Sequence, residues 1–97
     1  MKRIDLIPPA EQELTEAFLF YQTRAENQGA LFLACFLSAV GHVQRRPAAW
    51  PVLRAGVRRK CLARFPYAVL YREYPDAIIV LAVMHLHRRP DYWTARL

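Results

Sequence analysis

Residues 65–93 read FPYAVLYREYPDAIIVLAVMHLHRRPDYW, and their pattern decides the fold. From Tyr67 to Tyr74 the residues alternate, with Tyr67, Val69 and Tyr71 on one side and Ala68, Leu70 and Arg72 on the other. That period of two is the mark of a pleated strand. Pro75-Asp76 suits a tight turn, because proline presets one torsion and aspartate can bond its own backbone. Ala77 to Met84 is unbroken apolar, which predicts a central strand covered on both faces. The two strands form a hairpin that delivers His85, His87, Arg88, Arg89, Tyr92 and Trp93 to its far end.

Outward from this hairpin the pattern continues. Val57 to Ala63 alternates imperfectly around Arg58, Arg59 and Lys60 and predicts a strand with one wet face. Pro47 to Pro51 reads as a linker anchored by Trp50. Upstream, apolar residues cover most sides of a helix from about Ala30 to Gln44, with Leu33, Phe36, Leu37 and Val40 on one face and Phe32 and Val43 nearby. An earlier helix follows Pro8-Pro9, which the first helical turn tolerates. Its acidic residues Glu11, Glu13 and Glu16 suit the positive end of the dipole. Leu14, Ala17, Phe18, Tyr21 and Ala25 form its apolar stripe, and Gly29 is placed as the C′ residue that ends it. Arg3 to Ile7 alternates as a first strand. The prediction is one domain over residues 1–97, class α+β, in the order β-α-α-β-β-β, with a helical hairpin packed on a mostly antiparallel sheet.

The chain has 97 residues, 55% of them hydrophobic and only three of them glycine, which argues against a disordered or fibrous protein. The net charge of +6 is unevenly spread. Residues 1–28 carry Lys2, Arg3 and Arg24 against Asp5, Glu11, Glu13, Glu16 and Glu26, whereas residues 29–97 carry eleven Lys/Arg against Glu73, Asp76 and Asp91. An acidic helix beside a basic sheet points to a polyanionic or acidic partner, or to a solvated basic face. Cys35 and Cys61 lie far apart without metal-ligand spacing and read as small buried hydrophobes. No apolar run follows Met1-Lys2-Arg3 as in a signal peptide, and Ala30–Leu37 is too short to cross a bilayer. A cytoplasmic protein without membrane contact is expected.

The sequence has no nucleotide-binding glycine loop, no serine or cysteine triad and no metal cage, so neither cofactor nor metal is expected. One chemistry fits the side chains: a basic groove with His and Tyr can hold RNA and move a proton from a 2′-hydroxyl. Its candidates are Arg54, Arg58, Lys60, Arg72, His85, His87, Arg88 and Tyr92. Each has a structural alternative. His85 can be a hydrogen-bonded residue at a strand end, sharing a side with His87 if the strand continues that far. Tyr92 and Trp93 can be a lid on the core, and Arg58-Arg59-Lys60 can guard a sheet edge against pairing. Phe18, Tyr21, Phe32 and Phe36 read as core, or, where exposed, as a groove for an amphipathic helix.

The ordered motifs also carry a resemblance. FPY-x-V-x-Y-R at Phe65–Arg72, VLAV-x-H-x-x-R-x-P-x-YW at Val80–Trp93 and AWPVLR-x-GVRR at Ala49–Arg59 resemble the RelE/ParE superfamily, the small toxins of type II toxin–antitoxin modules, and its ParE-like branch in particular. The likeness runs over nearly the whole chain. It implies a toxin without chemistry of its own that binds DNA gyrase, stabilises a broken-DNA intermediate and halts replication. It also implies a cognate antitoxin, ParD-like or similar, with a DNA-binding N-terminal part and a disordered C-terminal tail that folds on binding. On this reading Phe18, Tyr21, Arg58, Arg59, Lys60 and Arg72 meet the antitoxin, and Arg88, Arg89, Tyr92 and Trp93 meet the target. The alternative within the superfamily is a ribosome-dependent mRNA endonuclease of the RelE type, with Arg72, His85, Arg88 and Tyr92 as its working groups. A member that only binds its partner is a third reading.

Overall fold

Strand β5 (Ala77–His85) is the spine of the molecule, and every other layer is arranged around it. In the computed structural model, which describes residues 1–97, it lies between β1 (Arg3–Leu6) and β4 (Tyr67–Glu73). The sheet continues through β3 (Val57–Cys61) to β2 (Val52–Arg54), giving the order β1-β5-β4-β3-β2. Only the β1–β5 pairing is parallel. The chain therefore crosses from β1 to β5 through a helical hairpin, α1 (Pro8–Gln22) and α2 (Gln28–Arg45), which covers one sheet face. Two short 3-10 helices follow α2 (Pro47–Ala49) and close the chain (Tyr92–Arg96).

The α+β class and the element order agree with the sequence reading, with a fifth strand added. Strand β2 is three residues long and directly follows the Pro47–Pro51 linker. It joins β3 through Ala55-Gly56, whose φ values of 52° and 75° are both left-handed, as in a type I′ hairpin turn. Pro75-Asp76 does turn the chain between β4 and β5, closed by the Tyr74 N–H donating to the Ala77 carbonyl at 2.8 Å. The centre of the sheet is β4 rather than β5, although β5 is buried on both faces as expected.

Alternation on β4 divides the core. Val69 and Tyr71 join Phe32, Phe36, Ala39 and Val43 of α2 on the helical side. Ala68 and Leu70 join Val57, Leu81, Met84 and Trp93 on the other. On β5 the register slips: Leu70 pairs with Ala82 and Tyr71 with Val80, which leaves Leu81 as a bulge. The bulge inverts the alternation, so Val80 and Val83 both face the helices. It also turns His85 to the helical side, against Tyr67.

Several helical assignments need correction. Helix α1 ends at Gln22, and Ala25 is exposed beyond it. Gly29 lies inside α2, and the αL residue between the helices is Asn27 at φ 66°. Gly29 is there for contact: a Cβ would stand 2.5 Å from Gln22 Oε1 and 3.0 Å from Phe18. The buried stripe of α2 is Gly29, Phe32, Phe36, Ala39 and Val43, while Leu37 is 57% exposed. In a helix apolar on most sides, periodicity alone does not choose the inner face. Cys35 is half-buried and Cys61 exposed, so Cys61 is not the core residue anticipated.

Candidate functional site

Beyond Leu6, strand β5 has no neighbour on its β1 side, and its backbone must find other partners. Glu13, on the inner stripe of α1 between the buried Ala10 and Ala17, reaches this open edge. Its Oε1 accepts the Val83 N–H at 3.0 Å. Arg96, in the last 3-10 helix, donates from Nη1 to the Leu81 carbonyl at 2.9 Å. The two side chains also grip each other, Nη1 to Oε1 at 2.8 Å and Nη2 to Oε2 at 3.0 Å. Tyr92 donates its hydroxyl proton to Glu13 Oε2 at 2.6 Å. A carboxylate and a guanidinium thus stand in for the missing strand, and the phenol braces the carboxylate.

Burial pushes the Glu13 carboxyl upward, but the bonds from Arg96, Tyr92 and the Val83 N–H outweigh it, and the net shift is down. Tyr92 is pushed far above the ordinary phenol range, first by burial and then by its bond to Glu13. It therefore stays protonated at neutral pH. The Arg88 guanidinium lies 4.1 Å from the Tyr92 ring centroid and 4.0 Å from Glu13 Oε2. Trp93 is 1% exposed, packed among Leu70, Leu81 and Met84, with its indole N–H donating to the Pro90 carbonyl at 2.7 Å. It is the lid on the face of the sheet that the helices leave bare.

An open cleft of about 230 Å³ adjoins this network, lined by Glu13, Glu16, Phe20, Tyr67, His85 and Arg88 among others. His85 accepts the His87 N–H at Nδ1 (3.0 Å) and sets its ring against Tyr67, 5.0 Å between centroids. The strand ends at His85 and His87 lies in the turn after it, which still brings the two rings to 4.9 Å. His85, Arg88 and Tyr92 are thus brought together. Arg72 is not: it pairs with Ile79, five residues along β4 from the Tyr67–His85 pair, or roughly 17 Å. There it donates from Nε and Nη2 to the Ala55 carbonyl at 3.0 and 2.7 Å and so holds the β2–β3 turn.

The basic run on β3 is split by the pleat. Arg58 and Lys60 pair with Tyr71 and Val69, on the helical side, and Arg59 pairs with Leu70 on the other. Arg58 donates to the carbonyls of Trp50 (2.8 Å) and Ala48 (3.2 Å), and Lys60 lies 4.0 Å over the Trp50 ring. These two fasten the connection after α2. Arg59 and Arg54 are exposed, and Arg89 is 80% exposed beside Asp91. Tyr21 faces inward, stacked on Phe32 at 5.4 Å and edge-on to Phe65 at 4.7 Å. Phe18 shares an open apolar groove of about 220 Å³ with Leu14, Thr15 and Leu33. Glu13 and Arg96 were not among the candidates. The signal for Glu13 was its spacing, three residues after Ala10 and four before Ala17, which places it on the buried stripe. No group of His, Cys, Asp and Glu could hold a metal ion, and no helix is long and apolar enough to cross a membrane.

No family model matches the chain. Over 91 residues it is 32% identical to Toxin ParE2 of Mycobacterium tuberculosis, in strains CDC 1551 / Oshkosh and ATCC 25618 / H37Rv alike. That alignment covers 93% of this chain and 87% of each relative. Among solved structures, a chain of the chromosomal ParDE TA system from P. aeruginosa superposes with a TM-score of 0.77 at 19% identity. The match covers 90% of this chain and 98% of that one, and it establishes a shared fold.

Proposed function

This chain belongs to the ParE toxin family, and on that premise we propose that it is the toxin of a type II toxin–antitoxin pair and acts by inhibiting DNA gyrase. The observation that carries the reading is the identity to ParE2 toxins over nearly the full chain, joined to what the site residues do. The Tyr92 hydroxyl is committed as a hydrogen-bond donor to Glu13, and Arg72 is engaged with the Ala55 carbonyl at a distance from His85. That arrangement supports a protein that acts by binding over one that cleaves RNA, since acid–base transfer needs its groups within reach of one proton. The exposed Arg88 and Arg89, displayed by the segment that Glu13 and Arg96 hold down, are the surface proposed for the target. Trp93 contributes as the anchor beneath them.

We further propose a cognate antitoxin, ParD-like, with a DNA-binding N-terminal part and a tail that folds on this protein. The groove at Leu14, Phe18 and Leu33, with exposed Leu37 beyond it, supports docking of an apolar helix face there. Inducing the chain alone in a bacterial host tests both parts. Growth arrest with chromosomal breaks and intact mRNA, relieved by the antitoxin, is expected. Arrest with cleaved mRNA and an unbroken chromosome would replace gyrase with the ribosome. Unimpaired growth would leave only the binding role.

A further inference from the structure

The end of α2, the connection after it and strand β3 meet at a corner that the reading above leaves unused. His42, Arg45, Arg46, Trp50 and Lys60 line an open cleft there of about 240 Å³. A second cleft, about 380 Å³, is lined by Arg46, Pro47, Ala48 and Ala49 and adjoins the first through Arg46. None of these cations takes part in any ion pair of the molecule. Trp50 adds a second deficit: its Nε1 is the one buried side-chain polar atom without a hydrogen-bond partner.

The negative end of α2 accounts for His42 and Arg45 in its last turn. It accounts neither for Lys60, which comes from a strand, nor for the orphaned indole. Gathering three fixed positive charges with no counter-ion is unfavourable, and so is burying an N–H without an acceptor. One kind of ligand relieves both: an anion with several oxygens, which meets the three charges together and offers the Trp50 N–H an acceptor.

We propose that this corner binds the phosphate backbone of double-stranded DNA, with Arg45, Arg46 and Lys60 on phosphate oxygens and the Trp50 indole N–H completing one of them. Both clefts are open to solvent, and two neighbours sharing an arginine suit successive phosphates of one strand. The side chains here are placed for phosphate oxygens, contacts that carry no base sequence. The Trp50 face is covered by Lys60 and offers no platform for unstacked bases, which favours a duplex over a single strand. The inference does not rest on gyrase being the target, because it concerns the free protein and DNA alone.

The test is titration of a short DNA duplex into the isotopically labelled chain while the two indole N–H signals are followed. The Trp50 signal shifts, and that of Trp93, bonded to Pro90, stays. Replacing Arg45 and Arg46 together by Ala weakens duplex binding about tenfold or more and lowers the salt slope of log K by about 2. Lys60→Gln acts in the same direction. Removing two exposed charges elsewhere, Arg24→Ala with Arg64→Gly, changes affinity by less than about twofold. An unmoved Trp50 signal, or equal losses in the two double variants, would overturn the proposal. So would tighter binding of single-stranded RNA or of polyglutamate than of the duplex.

Discussion

Glu13 and Arg96 stand 83 positions apart in the sequence and join through two parallel hydrogen bonds of 2.8 and 3.0 Å. The pair seals the edge of β5 where β1 ends, one partner taking the Val83 N–H and the other giving to the Leu81 carbonyl. It ties the chain's last turn to its first helix and holds Tyr92 and Trp93 in place. Both side chains are largely buried, with 12% and 19% exposure.

Removing one partner strands the other. Glu13→Ala leaves a guanidinium, a phenol and a backbone N–H without their acceptor, and is expected to cost roughly 2–4 kcal/mol. Glu13→Gln, which keeps an acceptor oxygen, costs less. Chemical denaturation of both variants checks the order. A double-mutant cycle with Arg96→Ala should give a coupling above about 1 kcal/mol, and additive losses would mean that the two act separately.

The same carboxylate sets an acid dependence. Its pKa is lower in the folded state than in the unfolded chain, so the unfolded state binds the proton first as pH falls. The stabilisation is complete above the usual carboxylate range, near pH 5, and is lost as pH falls through the folded value. In denaturation curves across this window, Glu13→Gln should show a shallower slope, by at most about 1.4 kcal/mol per pH unit for one proton. Equal slopes would assign the acid sensitivity to other groups.

Much of the fold was legible because local pattern and tertiary environment agree. The alternation at Tyr67–Tyr74 and the apolar run at Ala77–Met84 correspond to strands Tyr67–Glu73 and Ala77–His85, which carry both cores. The misses have physical causes. Val52–Arg54 is too short to show a period, and its turn uses Ala55-Gly56 where Asn-Gly would have announced a hairpin. The Leu81 bulge is invisible in a run where every residue is apolar. The internal contacts of Arg58, Lys60 and Arg72 are equally hidden in the sequence: Arg58 and Arg72 donate to backbone carbonyls, and Lys60 lies over the Trp50 ring. Such bonds depend on where distant loops come to rest, which no local window contains.

Gly29 marks the closest approach of the two helices. Gly29→Ala places a methyl group 2.9 Å from Gln22 Cβ and 3.0 Å from Phe18, against side chains rooted in α1. A loss of about 1–3 kcal/mol is expected, typical of overpacking. Helix propensity alone predicts a gain of up to about 1 kcal/mol. The sign of the change in thermal midpoint therefore decides between contact and propensity.

Tyr71 is fully buried and donates its hydroxyl proton to the Pro47 carbonyl at 2.6 Å. Tyr71→Phe should cost about 1–2 kcal/mol through the unsatisfied carbonyl. Burial pushes the phenol up to about 12, so the folded state keeps its proton longer than the unfolded chain. The stability it protects is present below about pH 10 and falls as pH rises toward 12. The Phe variant lacks that part of the alkaline loss.

We propose that this protein poisons gyrase by binding. Gyrase poisoning is tested most directly by incubating the purified chain with gyrase, ATP and relaxed plasmid, then resolving the DNA after detergent and protease. Blocked supercoiling with accumulating linear plasmid is the predicted result. Normal supercoiling at a large excess of folded protein would contradict it.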